Sequence, residues 1–368
     1  MARVASRSMP PDISRTDAVF ESAVRLCEEC AQQQDSNMGS MPPISPEVPR
    51  LLREVFDDDF ARLLHAQKSV HNLTCMQPAV AADERPLFGE ELLAVPLQPG
   101  RACRDGECCD ACSRIFLPDF ASHDECDAFI SSINRVMVPA ANHPHHNLYL
   151  ASSAASGDVR LTLTFLRMLE RMRRFIAHEY GLDLARLRPR QTFISRITYD
   201  AADESRQSLH ADESSYGSFH YSCVLYLSTQ GADFEGGSFT FNDPADGAGG
   251  GRVLSPLAPS AGTAVVFSSG WENLHAVGKV TAGCRFAVPA FFTTAVDDGK
   301  LERFSNMPDM VQASAAESDA YRPGCAETHD AAAAKALWRC ALMPESEDDF
   351  RQLFARWHHL LAATPPPP

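Results

Sequence analysis

Between residues 190 and 294, short runs rich in β-branched and aromatic side chains, "CVLYLST", "GSFTFND" and "GTAVVFSS", alternate with Gly, Pro and Asp breaks. Strand-length runs separated by turn residues are what an antiparallel barrel or sandwich requires. This stretch constrains the fold more than any other. The rest of the chain must supply whatever covers the outside of such sheets.

Upstream, the pattern is helical. A helix is expected after Thr16. The Pro-, Met- and Ser-rich "SNMGSMPPISPEVP" reads as a linker, and "RLLREVFDDDFARLLHAQ" places Leu51, Leu52, Val55, Phe56, Phe60, Leu63 and Leu64 along one stripe. The acidic run Asp57 to Asp59 is expected on the solvated face of that helix. Near residue 114, "RIFLPDF" is strand-like, and "SHDECDAFISSINRVM" is an amphipathic helix opened by a capping box of Ser122 and Glu125. A longer helix follows over Leu161–Tyr180. Beyond Lys300 the pattern gives a loop and two helices, the last opened by Ser346 and closed by "TPPPP", which cannot continue a helix. The expected division is a helical, partly flexible region over 1–112, a main domain over 113–296, and C-terminal loop and helices over 297–368.

Composition narrows the partners. With 368 residues, 45% of them hydrophobic and 22% charged, the chain can bury a full core. The net charge of -15 disfavours nucleic acid and anionic membrane, leaving a small molecule or a protein. No run approaches the ~18 apolar residues of a membrane span, and "MARVASRSMPPDISRTD" lacks the apolar core of a signal peptide. The expectation is a cytoplasmic chain whose 12 cysteines are reduced thiols. Within "CRDGECCDAC", Cys109 and Cys112 have the gap of a zinc knuckle, with Cys103 and Cys108 nearby and Cys27 and Cys30 as a further pair. The irregular spacing of the remaining members suits a thiol-rich loop ahead of the main domain better than a structural zinc site. "HPHH", His143 to His146, follows a proline and reads as a solvated loop.

Chemistry concentrates in the strand-rich part. His210-Ala211-Asp212 is expected where the chain enters a strand, the period of two putting both side chains on one face. An HxD triplet alone proves little in a chain with 13 histidines. A third ligand should come from a later strand: His275 in "GWENLHAVGKV" is expected to end one. Ten residues on, after a turn around Gly283, Arg285 stands in "CRFAVPAFF". Two imidazoles and one carboxylate bind one side of an iron(II) ion and leave other positions open for a co-substrate. A keto acid such as 2-oxoglutarate could chelate there, and its far carboxylate needs a buried, permanently charged, bidentate partner of the type Arg285 provides. Gly236 and Gly237 read as turn residues and not as a phosphate cradle, since no helix start follows them.

The order His210-x-Asp212, "VLYLST...FEGGSFTF", and His275 with Arg285 in "HAVGKVTAGCRFAVPAFF", prefaced by "SRIFLPDFASHDECDAFI", resembles the 2-oxoglutarate and iron(II)-dependent dioxygenases of the prolyl 4-hydroxylase and lysyl hydroxylase superfamily. The resemblance covers about residues 113 to 296. It implies mixed α and β structure with a double-stranded β-helix (jelly-roll) catalytic core and flanking helices. It also implies an oxidoreductase that uses O2 and 2-oxoglutarate to hydroxylate a C–H bond and releases succinate and CO2. By resemblance, His210, Asp212 and His275 would hold Fe(2+), Arg285 and Tyr226 would bind the far carboxylate of 2-oxoglutarate, Tyr199 is a looser match, and ascorbate would serve as supporting reductant. Two positions depart from the family: many prolyl hydroxylases carry lysine at the position of Arg285, and Gln207 stands where a tyrosine is common. A prolyl, lysyl or other peptidyl substrate and a small molecule all remain open. So do a barrel that has lost catalysis and serves as an interaction module, and a cupin-like metalloenzyme.

Overall fold

The computed structural model describes residues 12–35, 47–79, 89–100, 111–137, 145–149, 153, 158–184, 186–200, 207–215, 219–244 and 252–295. In chain order the elements begin with α1 (Ile13–Asp35), α2 (Glu47–Leu64), β1 (Ser69–Leu73), β2 (Met76–Pro78), a 3-10 turn (Gly89–Ala94), β3 (Leu97–Pro99), β4 (Cys112–Leu117) and α3 (His123–Val136). They continue with β5 (His145–Tyr149), α4 (Val159–Glu179), β6 (Arg188–Thr198), β7 (Gln207–His210), a short α5 (Asp212–Ser215), β8 (Tyr221–Tyr226), β9 (Phe234–Gly236), β10 (Phe239–Pro244) and β11 (Arg252–Leu257). The last are β12 (Ala264–Ser268), a second 3-10 turn (Trp271–Asn273), β13 (His275–Val277) and β14 (Val280–Thr293).

The strands form a large sheet in the order β1-β4-β12-β8-β14-β6-β5, with β9 also on β14, and a small sheet in the order β11-β10-β13-β7. All named pairings in both are antiparallel. Alternation along β8, which is buried throughout, places its side chains in two separate cores. Val224 and Tyr226 point to an inner cluster with Val265, Phe267, Ala287, Phe239, Phe241 and Val277, drawn from both sheets. Tyr221, Cys223 and Leu225 point the other way, into a core shared with the helices. The result is the double-stranded β-helix architecture with flanking helices.

α1 and α2 belong to that outer core: Phe20, Val24, Leu52 and Val55 pack in one cluster with Phe129 of α3 and Phe165 of α4. The capping box on α3 is present in full, with Ser122 accepting from the Glu125 backbone and the Glu125 carboxylate accepting from the Ser122 N–H.

Several expectations are corrected. Asp59 is not solvated; it is 2% exposed and accepts hydrogen bonds from Arg167 and Arg171. His146 lies buried on β5 and not in a solvated loop. Gly283 is no turn residue: it sits inside β14 with φ 75°, where a Cβ would stand 2.1 Å from the Asp233 carbonyl oxygen. Cys112 is neither a free thiol nor a zinc ligand, because it forms a disulfide with Cys75. Disulfides persist in oxidising compartments, so the thiol argument for a cytoplasmic chain no longer holds. Cys103, Cys108 and Cys109, like the helices expected beyond Lys300, lie outside the described residues. No described helix is long and apolar enough to cross a membrane.

Candidate active site

His210 closes β7 and Asp212 opens α5, so the two meet where the chain leaves a strand, not where it enters one. Ala211 between them is fully buried against Trp271 and Leu274. His275 opens β13 instead of ending a strand, and its Cα pairs with that of His210 across the small sheet. The Nε2 atoms of His210 and His275 lie 3.4 and 3.7 Å from the same Asp212 Oδ1. One ligand atom from each of the three side chains falls within 4.8 Å of the others, and among the described residues no second group of three donors is so placed.

Each donor is oriented from behind. The Nδ1 of His210 is 2.8 Å from the Ser208 carbonyl and that of His275 is 2.9 Å from the Asn273 carbonyl. A carbonyl only accepts, so both Nδ1 atoms carry a proton and both Nε2 atoms face Asp212. Ser222 donates to Asp212 Oδ2 at 2.6 Å and shares a second 2.6 Å hydrogen bond with Ser269. Phe239 stacks on the His275 ring, while Phe241 and Phe267 meet it edge-on. Burial, together with the His210 charge, pushes His275 down to about 4 and keeps it a neutral donor near neutral pH. Burial would raise Asp212, but His275, His210 and the Ser222 hydroxyl hold its carboxyl below the usual range. For His210, burial acts downward and the hydrogen bond to Asp212 outweighs it, leaving the imidazole raised.

Deeper in the barrel, Arg285 on β14 lies with its guanidinium carbon 5.4 Å from the Tyr226 ring centroid. Both side chains are buried, and Arg285 Nε and the Tyr226 hydroxyl have no hydrogen-bond partner. Burial lowers Arg285 and raises the Tyr226 phenol. Gly237 has φ 61°, and a Cβ there would lie 3.2 Å from Arg285 Cδ, so the glycine admits the arginine stem. Tyr199 does not join this group: it is 45% exposed at the end of the β6 segment. Ser222 and Asn273 escaped the sequence reading. Ser222 had a readable signal, a hydroxyl on the inward alternation of "YSCVLY"; Asn273 acts through its backbone carbonyl, which carries none.

The donor set therefore fits a metal held by two imidazoles and one carboxylate, beside an uncompensated buried cation suited to a carboxylate. Two imidazoles and one carboxylate are the donor set that non-heme iron oxygenases use. Residues 197–293 match the sequence profile of the 2OG-Fe(II) oxygenase superfamily. The likeness is confined to this part of the chain. The Rattus norvegicus protein called 2-oxoglutarate and iron-dependent oxygenase domain-containing protein 3 is 37% identical over 128 residues, 34% of this chain and 38% of that protein. Prolyl 3-hydroxylase 2 of Gallus gallus is 43% identical over 83 residues, 23% of this chain and 11% of the chicken protein. The chain thus spans well under half the length of these curated relatives. Among solved structures, an oxidoreductase of the 2OG-Fe(II) oxygenase family from Burkholderia pseudomallei is similar at 22% identity, covering 49% of this chain and 85% of that one with a TM-score of 0.35.

Proposed function

We propose that the chain is an Fe(II)/2-oxoglutarate-dependent dioxygenase that hydroxylates a C–H bond of a peptidyl, prolyl or lysyl, or of a small-molecule substrate. The observation that carries this reading is the pairing of a three-donor cluster with a buried arginine that lacks a carboxylate partner among the described residues. His210, Asp212 and His275 would hold the iron. Arg285 and the Tyr226 hydroxyl would bind the far carboxylate of 2-oxoglutarate, satisfying the polar atoms now without hydrogen bonds. When bound, iron(II) with 2-oxoglutarate and O2 supplies the oxidising power for the hydroxylation, with succinate and CO2 released and ascorbate as supporting reductant.

The chain's own residues prepare that chemistry. Ser222 fixes the Asp212 carboxylate, and the two backbone carbonyls fix the imidazole tautomers. Phe239, Phe241 and Phe267 shield His275 from water. A peptidyl prolyl target stands first among the substrates, because prolyl 3-hydroxylase 2 is among the relatives that the chain resembles. Anaerobic titration of 2-oxoglutarate into iron(II)-loaded protein, followed by the metal-to-ligand absorption band, tests the co-substrate. Incubation with proline-containing peptides and mass spectrometry for a gain of one oxygen tests the reaction. Absence of iron-dependent 2-oxoglutarate binding would overturn the proposal.

A further inference from the structure

A second buried arginine reaches the metal-ligand cluster from outside. Arg114, on β4, is 6% exposed on the strand face that carries Phe116, and it pairs with Phe267 across β12. Its side chain therefore enters the space between the two sheets. There its guanidinium carbon lies 3.8 Å from the Phe241 ring centroid, and Phe241 pairs with His275 on the small sheet.

All of its hydrogen bonds go to elements that flank His275. Nε donates to Asn273 Oδ1 at 2.6 Å, and Nη2 reaches the Glu272 carbonyl at 3.3 Å. Nη1 donates to Asp243 Oδ2 at 3.0 Å, and Nη2 also bonds Asp243 Oδ1, closing a two-pronged pair. Asp243 is held in turn by Ser255 at 2.9 Å. Asn273 completes the chain: its Nδ2 donates to the Ser268 carbonyl at 2.8 Å and to the Ser268 hydroxyl at 3.0 Å, while its carbonyl accepts the His275 Nδ1 proton at 2.9 Å. The same short loop is held from its other side, where the Met76 N–H donates to the Glu272 carboxylate at 3.2 Å. Met76 directly follows Cys75, whose disulfide partner Cys112 stands two residues before Arg114.

We infer that Arg114 is a positioning residue for the metal site: anchored on Asp243, it fixes Asn273 and thereby the tautomer and orientation of His275. An arginine that only braced the barrel would have no need to contact Glu272 and Asn273, in the short loop that leads to the ligand. Resting on the metal-binding reading above, the inference deepens it, since losing an outer partner of a ligating histidine typically weakens metal binding roughly tenfold to hundredfold.

The test uses the full chain as parent, Arg114→Met and Asn273→Ser. Each is checked for folding by thermal denaturation, then titrated anaerobically with Co(II), reading affinity and the d–d absorption bands. In metal-free protein, nitrogen-15 imidazole shifts near pH 7.5 report the His275 tautomer. Expected are folded variants with Co(II) affinity reduced about tenfold or more, altered d–d bands, and a His275 no longer held in the Nδ1-protonated form. Parent-like affinity and tautomer in a folded Arg114→Met protein would overturn the inference. Should Arg114→Met fail to fold, Asn273→Ser, which cuts the same link and keeps the arginine, decides by the same readings. A parent that binds no Co(II) refutes the metal reading, while the tautomer comparison still decides the positioning role.

Discussion

Among the described residues, two groups of buried charged side chains are built on opposite plans. Between α2, α3 and α4, Arg171 bonds Asp59 at 2.8 Å and Glu125 at 2.6 Å, while Arg167 grips Asp59 at 2.8 and 2.9 Å. Although Arg171 Nε and two nitrogens of Arg62 lack hydrogen bonds, each guanidinium faces a carboxylate. Inside the barrel, the charges are left incomplete. Three donors converge on one point, and Arg285 has no carboxylate to pair with among the described residues. A buried charge set that closes on itself holds elements together; one that needs a further ion or carboxylate is prepared to bind it.

The largest expected effect breaks the closed cluster. Arg171→Met strands Asp59 and Glu125 with weakened compensation and should cost about 3–5 kcal/mol of stability, measured by urea unfolding. Metal affinity of the folded fraction should be unchanged, and parent-like stability would refute the structural role. Next comes the open cluster. His275→Ala should leave the fold intact yet weaken iron binding by more than the roughly hundredfold upper range for an outer partner, because one of three donors is gone. Full iron occupancy in a folded variant would refute the ligand assignment.

Arg285→Ala should sharpen the contrast further: 2-oxoglutarate binding weakened at least about tenfold with iron affinity nearly unchanged, and Arg285→Lys in between, since lysine keeps the charge but loses the two-pronged geometry. Equal affinity in Arg285→Ala would make the arginine a purely structural barrel residue. The smallest effect is a pH slope. His275 titrates near 4 when folded and about 6.5 when unfolded, so the unfolded chain takes up the proton first as pH falls. Stability of the metal-free protein due to this group is present above about pH 6.5 and declines down to about pH 4. Chemical denaturation across that range should show a shallower decline in His275→Gln than in the parent.

What the sequence determined by itself was what local rules govern. Strand alternation, the Ser122–Glu125 capping box, and the spacing of His210, Asp212, His275 and Arg285 are read within one element or one recurring order, and each keeps its meaning wherever the element is placed. Only the tertiary structure decided the rest, because it depends on which distant surfaces meet. Asp59 reads as one more acid on a helix until α4 brings two arginines over it. Cys112 reads as half of a zinc knuckle until Cys75, 37 residues away, comes within bonding distance. Arg114 is an ordinary first residue of "RIFLPDF" until two sheets close around it; Asn273 and Asp243 lie 159 and 129 residues further along the chain. Periodicity records the face on which a side chain stands, but its partner on the opposing layer is fixed only when the layers pack.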